Sequence, residues 1–459
     1  MSTLGSAQNP LCVAIVGSGP SGFYSTEALI RSELTVKVDM FERLPSPYGL
    51  VRSGVAPDHQ KLKQAIQVYA KIAEQPEFNF IGNVTVGRDI SIAVLCTTHH
   101  AVILTYGAET NRRLGISGDD LPGSHTATEF VGWYNGHPDY RDRIFDLSHE
   151  TAVIIGQGNV AADVSRILAK NVDELKHTDI TEHALAVLAE SNIKNIYIIG
   201  RRGPAQAKFA SKEIKEFGEL AICDPLVDPD ELLLNPESEN ELRDKSNSGS
   251  KKNYDILSKY SSLPTSNKQR QCHFTFLKSP IKIIGDGRVE KIILEKNKLT
   301  GDPMRQSARG TGRTIELETG IVFSSIGYRG LSMPGVPFND DRGVLPNSDG
   351  RIVDADNKPL PQLYCAGWIK RGPTGIIGTN RADSVATVAA LLEDVKNMDA
   401  DEHKSGAEGA YQILDNKGIR HISFSEWKKI DQKELARGLP KDKLREKFTY
   451  IKEMLALLD

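Results

Sequence analysis

Three glycines, Gly17, Gly19 and Gly22, stand in G-x-G-x-x-G spacing within GSGPSG. In such a turn the first glycine makes the sharp bend and the second lets the backbone approach a pyrophosphate. The third lets a helix pack close on a strand, with the helix N-terminus facing the phosphates. Glu42 closes the next apolar run, where a carboxylate can accept hydrogen bonds from an adenosine ribose. A glycine turn with no ligand is the plain alternative; a lone match is weak, and the strand–turn–helix–strand setting makes it strong. Gly156, Gly158 and Ala161 repeat the pattern as G-x-G-x-x-A within GQGNVAAD. The apolar run after it ends on Arg201 and Arg202 instead of an acid, and guanidinium groups suit a ribose 2′-phosphate. The first turn is therefore expected to take FAD or NAD and the second NADP(H); the plain alternative for the arginines is a solvated basic pair. A third glycine-rich turn, GPTGIIG at 372–378, follows YCAGW at 364–368 and precedes a helix expected from about Arg381. Trp368 could stack on a flat ligand there, or fill core.

These residues need elements to hold them. The apolar run 13–16, the turn, a helix from Phe23 to about Arg31 and a second run 36–41 make one βαβ unit. A polar loop leads to a helix expected from about His59 to Ala73, with Leu62, Ala65, Ile66, Tyr69 and Ile72 at helical spacing and Asp58 as its N-cap. The stretch 99–109 reads as a strand that finishes the first unit. A second unit runs through a strand at 152–155, a helix from Val160 to about Ala169 and a strand at 196–199. The polar segment 235–271 reads as a flexible excursion. Strand-like runs follow at 274–276, 281–284, 289–294 and 321–323. From about residue 400 two charged helical stretches read as an appendage on the main body.

Composition bounds the rest. A chain of 459 residues allows two or three domains with packed cores. Lys and Arg total 57 against 60 Asp and Glu, so a net charge of −3 gives no global case for nucleic-acid binding. Five scattered cysteines with no C-x-x-C encode neither a disulfide framework nor a cysteine metal site, which suits a reducing compartment. No apolar run approaches the ~20 residues that span a bilayer. The opening MSTLGSAQNP lacks the basic residues of a secretory signal or a mitochondrial presequence. The expected location is cytoplasmic, or the mitochondrial matrix if a presequence has been removed.

Taken together, GSGPSG, PSPYGLVRSGVAPDHQ, GNVTVG, GQGNVAADV, IGRRGPAQAKF and AGWIKRGPTGIIGTN resemble the adrenodoxin reductase family. These are the FAD-containing ferredoxin–NADP reductases of the glutathione reductase structural class, and the likeness covers roughly residues 10 to 395. The resemblance implies an α/β fold of two Rossmann-like dinucleotide-binding domains, the NADP domain inserted in the FAD domain. Its parts would be 10–110 and 330–395 for FAD, with the second part completing the first sheet, 111–329 for NADP, and 396–459 as the helical appendage. It implies that Ser21, Glu42, Leu50, Val86, Trp368 and the backbone of Gly375, Ile376 and Ile377 line FAD. Gln157, Gly158, Asn159 and Val160 would hold the NADP pyrophosphate, with Arg201, Arg202 and Glu213 around the adenosine end. His59 and Asp163 match a histidine and an aspartate that the family places near the flavin and nicotinamide. By spacing alone His59 reads as an exposed first-turn histidine and Asp163 as a helix surface charge. Ser21 stands where some relatives have Ala.

Two dinucleotide sites of different chemistry point to hydride transfer between their occupants. NADPH releases two electrons as hydride, whereas an iron–sulfur protein accepts one at a time; flavin takes a hydride at N5 and returns electrons singly, which couples the two. The expected activity is FAD-dependent electron transfer from NADPH to ferredoxin or a similar small acidic carrier. No nucleophile or metal is required, and His59 and Asp163 would position groups or assist proton traffic. The absence of C-x-x-C argues against a disulfide reductase. An NADPH-dependent flavin monooxygenase and a non-catalytic flavin-binding sensor are the competing readings. Docking of the carrier is expected at a local basic surface drawn from Lys268, Arg270 and Lys278, with Lys370 and Arg371 near the flavin turn.

Overall fold

The computed structural model describes residues 3–264, 266–399 and 402–459. Met1, Ser2, Thr265, Ala400 and Asp401, which fall within the opening segment, the 235–271 stretch and the start of the C-terminal stretch, lie outside the described residues. The chain opens with four parallel strands, β1 (Leu11–Val16), β2 (Val36–Phe41), β3 (Phe78–Ile81) and β4 (Ala101–Leu104). All six residues of β1 are buried, as a parallel strand covered on both faces requires. After a two-residue β5 (Thr110–Asn111), a second sheet begins with β6 (Ser124–Thr126), β7 (Thr151–Ile155), β8 (Asn195–Ile199), β9 (Cys223–Val227) and β10 (Arg270–Thr275). Strands β11 (Lys278–Ile284), β12 (Lys291–Thr300) and β13 (Ser307–Glu318) form a separate antiparallel sheet, and β14 (Ile321–Ser324) completes the second one. Strand β15 (Tyr328–Arg329) pairs with β5. The last strands, β16 (Asn347–Ser348), β17 (Arg351–Val353) and β18 (Pro359–Cys365), go back to the first sheet.

The first sheet has the order β16-β17-β18-β4-β1-β2-β3 and the second β6-β14-β7-β8-β10-β9. The second sheet is thus built wholly between β4 and β18, which pair with each other in the first. In each sheet the glycine turn follows a central strand at its C-terminal end, where open α/β sheets bind ligands. The register of β1 on β2 ends at Val16↔Phe41, so Gly17 and Glu42 emerge side by side.

Three expectations need correction. The helix expected from His59 to Ala73 is two pieces, Gln60–Lys63 and Ala65–Ala73. Asp58 caps neither of them, because its carboxylate is taken by Arg166 and Lys170. The 235–271 segment contains helices Pro236–Arg243 and Ser248–Ser261. The buried face of the latter is Ser250, Asn253, Leu257 and Tyr260, so half of it is polar and the apolar period is hidden. Asn253 Nδ2 donates to Phe209 O at 2.7 Å and the Tyr260 hydroxyl to Ile214 O at 2.7 Å, which satisfies those polar groups. The C-terminal stretch, expected as two helical stretches on the main body, holds three helices among the described residues, Ala407–Asn416, Phe424–Gly438 and Ile451–Ala456. Trp427 and Ile430 are buried in the core of the first unit. No described helix is long and apolar enough to cross a membrane.

Candidate active site

At the first turn Gly17 has φ +105°, and a Cβ there would lie 2.7 Å from Tyr106 Cα, so only glycine fits. A Cβ on Gly19 would meet nothing within 4 Å, which leaves that face of the backbone open. Helix Pro20–Ile30 starts at Gly19 with no side-chain cap, so its first amides are free for phosphate oxygens. Glu42 is held at this turn: Ser18 N and Oγ donate to its Oε2 at 3.1 and 2.7 Å, and Leu44 N donates to Oε1 at 3.1 Å. Tyr48 N bonds Ser18 O at 3.0 Å, which brings Leu50 alongside, while Val86 is buried behind with Phe41 and Ile81. Ser21 Oγ donates to Asn380 Oδ1 at 3.2 Å and Ser384 Oγ to Ser21 O at 3.1 Å, tying this helix to helix Ile377–Val395.

The third glycine turn lies at the head of that second helix. Gly375 has φ +84°, Ile376 is 72% exposed, and Ile377 begins the helix. Trp368 opens the short helix Trp368–Arg371 with its ring 5.3 Å from Tyr328. Trp368 Nε1 and Arg371 Nε and Nη1 are buried donors with no partner among the described residues. Buried donors are rarely left unpaired. These orphans, the open Gly19 face and the Glu42 carboxylate fit FAD, which offers a polar ring system, a pyrophosphate and a ribose.

The second turn repeats the geometry. Gly156 has φ +136° and a Cβ there would lie 2.1 Å from Ser325 O, whereas a Cβ on Gly158 meets nothing within 4 Å. Helix Asn159–Ala169 also starts without a side-chain cap. Gln157 Nε2 donates to Thr275 O at 2.8 Å, Asn159 Oδ1 accepts from Ala210 N at 2.7 Å, and Val160 packs on the core of this unit. Arg201 and Arg202 follow β8 with their backbone fixed by Asn297 and Leu277, and neither forms an ion pair among the described residues. Burial, and then the charge of Arg201, depress the Arg202 guanidinium. A dianionic 2′-phosphate would relieve that repulsion, so this site fits NADP(H).

A buried ion cluster joins Asp58 and His59 of the first unit to helix Asn159–Ala169 of the second. Arg166, fully buried, bonds Asp58 Oδ2 and Oδ1 at 2.7 and 3.0 Å, Asp163 Oδ1 at 2.6 Å and Glu213 Oε2 at 3.2 Å. His59, 8% exposed, has Nε2 2.9 Å from Glu216 and 3.4 Å from Glu213, and Nδ1 3.8 Å from Asp163. His59 and Asp163 are thus brought together, and neither is the surface charge that spacing suggests. The Glu213 carboxylate bonds Arg166 and His59, and no bond joins it to Arg201 or Arg202. Burial raises the Asp163 carboxyl, partly offset by Arg166, and burial followed by Asp163 raises Glu213. Asp58 goes the other way, because its bonds to Arg166 and Lys170 outweigh burial and hold it well below the usual carboxylate range. A cavity of about 510 Å³ opens here, lined by Asp58, His59, Lys61, Arg166, Lys170 and Lys212 among others. His59, Glu213 and Glu216 have metal-ligand spacing, but Arg166 already supplies their cation. Arg166 was missed from the sequence; its signal is a cation three residues after Asp163 on an otherwise apolar helix face.

The expected docking residues are engaged elsewhere. Lys268 Nζ donates to Leu220 O at 2.8 Å, Arg270 Nη1 to Leu168 O and Lys170 O at 2.5 and 2.7 Å, and Lys278 pairs with Glu231. Lys370 pairs with Asp383 at 3.0 Å and Arg371 Nη2 donates to Asn380 Oδ1 at 2.8 Å. None of the five is a free surface charge, so that expectation is corrected.

No family model matches the chain. It is 40% identical to the mitochondrial NADPH:adrenodoxin oxidoreductase of Arabidopsis thaliana, over 98% of this chain and 96% of the relative. It is 42% identical to NADPH-ferredoxin reductase FprA of Mycobacterium leprae, over 97% of this chain and 98% of the relative. Among solved structures it is similar to Mycobacterium tuberculosis FprA in complex with NADPH, with a TM-score of 0.92, 40% identity, and coverage of 98% of this chain and 99% of that one.

Proposed function

The chain belongs to the family of NADPH:adrenodoxin oxidoreductases and NADPH-ferredoxin reductases, and from that premise we propose how its residues divide the work. It is an FAD-dependent oxidoreductase that passes electrons from NADPH to a ferredoxin-type one-electron carrier. The observation that carries this reading is the contrast between two glycine turns in one chain: Glu42 stands at the first and Arg201 with Arg202 at the second.

Residues 10–110 and 330–395 make the FAD domain and 111–329 the NADP domain. Bound flavin supplies the coupling chemistry, taking two electrons together from NADPH and releasing them one at a time. The protein's own residues bind, orient and exclude. Gly19, Ser21, Leu50, Val86, Trp368 and the 375–377 turn seat FAD, with Glu42 on its ribose. Gln157, Gly158, Asn159 and Val160 seat the NADP pyrophosphate, and the arginine pair holds the 2′-phosphate. His59 and Asp163 sit at the cleft between the units, where Arg166 and Glu213 fix their positions. Burial raises both the Asp163 and the Glu213 carboxyl, which favours the protonated form of each beside His59. The competing monooxygenase and sensor readings gain no observation.

The carrier's acidic face meets exposed Lys61 at the mouth of the cavity, while Lys212 there is already paired with Glu216. Five free cysteines suit a reducing compartment, the cytosol or the matrix. The purified protein should be yellow, release FAD on denaturation, and lose its flavin colour when mixed anaerobically with NADPH. Ferredoxin-dependent cytochrome reduction should fall between 0.1 and 1 M salt, as the Debye length drops from ~10 to ~3 Å. Release of FMN, or NADPH-driven hydroxylation without any carrier, would overturn the reading.

A further inference from the structure

Two distant stretches of chain converge on one buried carboxylate in a third. Asp179, just before helix Glu182–Ala189 of the second unit, accepts from Lys63 Nζ at 2.8 and 2.7 Å, Gln60 Nε2 at 2.8 Å and Lys447 Nζ at 2.7 Å. Gln60 and Lys63 belong to the first unit, and Lys447 to the stretch after helix Phe424–Gly438. Lys447 is 1% exposed and also donates to Arg52 O at 3.3 Å and Asn135 O at 3.1 Å, one carbonyl from each unit. A second junction secures the same stretch. Fully buried Glu434 accepts both terminal nitrogens of Arg52, at 2.9 and 2.6 Å, and Phe448 N at 3.0 Å, while Lys443 reaches Glu182 at 2.8 Å.

Charges taken out of water are tolerated only when paired, and their bonds are directional. A small rotation of one unit against the other would strip several partners from Asp179 at once, so the junction is satisfied in one arrangement only. Its neighbours in the chain are the cleft residues. Segment 58–63 places Asp58 and His59 in the Arg166 cluster and Gln60 and Lys63 on Asp179. Whatever fixes Asp179 therefore fixes His59 against helix Asn159–Ala169.

We propose that Asp179 is a positioning residue: through Gln60, Lys63 and Lys447 it sets the spacing of the two dinucleotide turns, with the C-terminal stretch acting as the third member of the lock. Its kinetic consequence rests on the electron-transfer reading above. The test uses the full-length holoprotein with Cys96→Ser, and with spin labels at Lys37→Cys and Glu190→Cys, one exposed site on each unit. Asp179→Asn and Lys447→Met are compared with the parent. The expected result is a broadened or shifted label–label distance distribution, with FAD content and 2′,5′-ADP affinity within twofold of the parent. Flavin bleaching at saturating NADPH should slow at least tenfold in a single turnover. An unchanged distance distribution overturns the lock, and unchanged bleaching beside broadened distances overturns its kinetic role. Should both variants fail to fold, Gln60→Leu, which removes the bonds from Gln60 Nε2 to Asp179 and to Pro57 O, gives the same readings and is judged by the same outcomes. A parent flavin that NADPH does not bleach sinks the electron-transfer reading, while the distance measurement still decides the lock.

Discussion

Asp58 and Arg166 come from different dinucleotide units, yet their side chains meet as a fork, Nε to Oδ2 at 2.7 Å and Nη2 to Oδ1 at 3.0 Å. The two units are therefore joined by a buried pair of opposite charges next to the cleft. Removing one partner of such a pair costs roughly 3–5 kcal/mol, because the other charge stays buried.

That pair makes stability depend on pH. The folded Asp58 carboxyl lies below its unfolded value of ~3.9, so its contribution is full above about pH 4 and is lost as pH falls through the folded value. Thermal unfolding of the parent and of Asp58→Asn from pH 7 to pH 2 should show a gap in Tm that is constant down to about pH 5 and closes below pH 4. A gap that widens in acid would contradict the sign.

Coenzyme choice should rest on the arginine pair. Charge-assisted bonds contribute ~1.5–3 kcal/mol each, and 1.4 kcal/mol is about one decade of affinity. Arg201→Ala with Arg202→Ala should raise the KM for NADPH at least ~10-fold while leaving that for NADH and the FAD content nearly unchanged. A double variant that keeps its NADPH preference would remove the pair from the 2′-phosphate site.

Gly158→Val separates ligand from fold. The new side chain meets no protein atom within 4 Å of its Cβ, and the backbone at φ −114° accepts it. The Tm should move by less than about 2 °C, the scale of a ΔΔG well under 1 kcal/mol, whereas NADPH affinity should fall by at least ~10-fold because the valine fills the path of the pyrophosphate. Equal NADPH binding in calorimetry would mean that the coenzyme does not approach this glycine.

Helix Ser248–Ser261 should carry real stability, unlike a flexible excursion. Leu257 is fully buried against the second unit's core, so Leu257→Ala should cost roughly 2–5 kcal/mol in denaturant unfolding. A loss below ~0.5 kcal/mol would return the segment to the status of a loop.

The glycine turns, Glu42 and Arg201 were legible because each depends on local backbone geometry or on a place at a strand end. The Ser248–Ser261 helix was not, because Ser250 and Asn253 occupy half of its buried face and blur the period. Arg52 with Glu434, and Lys63 with Asp179 and Lys447, were illegible for another reason: each pairing is set by tertiary folding between distant parts of the chain, and a charged residue met alone reads as solvated surface. The bond between Glu213 and Arg166 was illegible for the same reason.

The interruption of the first sheet has a consequence during synthesis. Strand β4 must wait for β18, with Val102 pairing Leu363 and Ile103 pairing Tyr364. At ~5–20 residues per second, the ribosome takes on the order of tens of seconds to deliver the partner. The second sheet, contiguous in the chain, can close during that interval, so the middle of the nascent protein is able to fold before its ends. Until then Ala101–Leu104, wholly apolar and destined for the interior, is an unpaired edge of the kind that aggregates. The slower the translation, the longer this edge stays open to other chains.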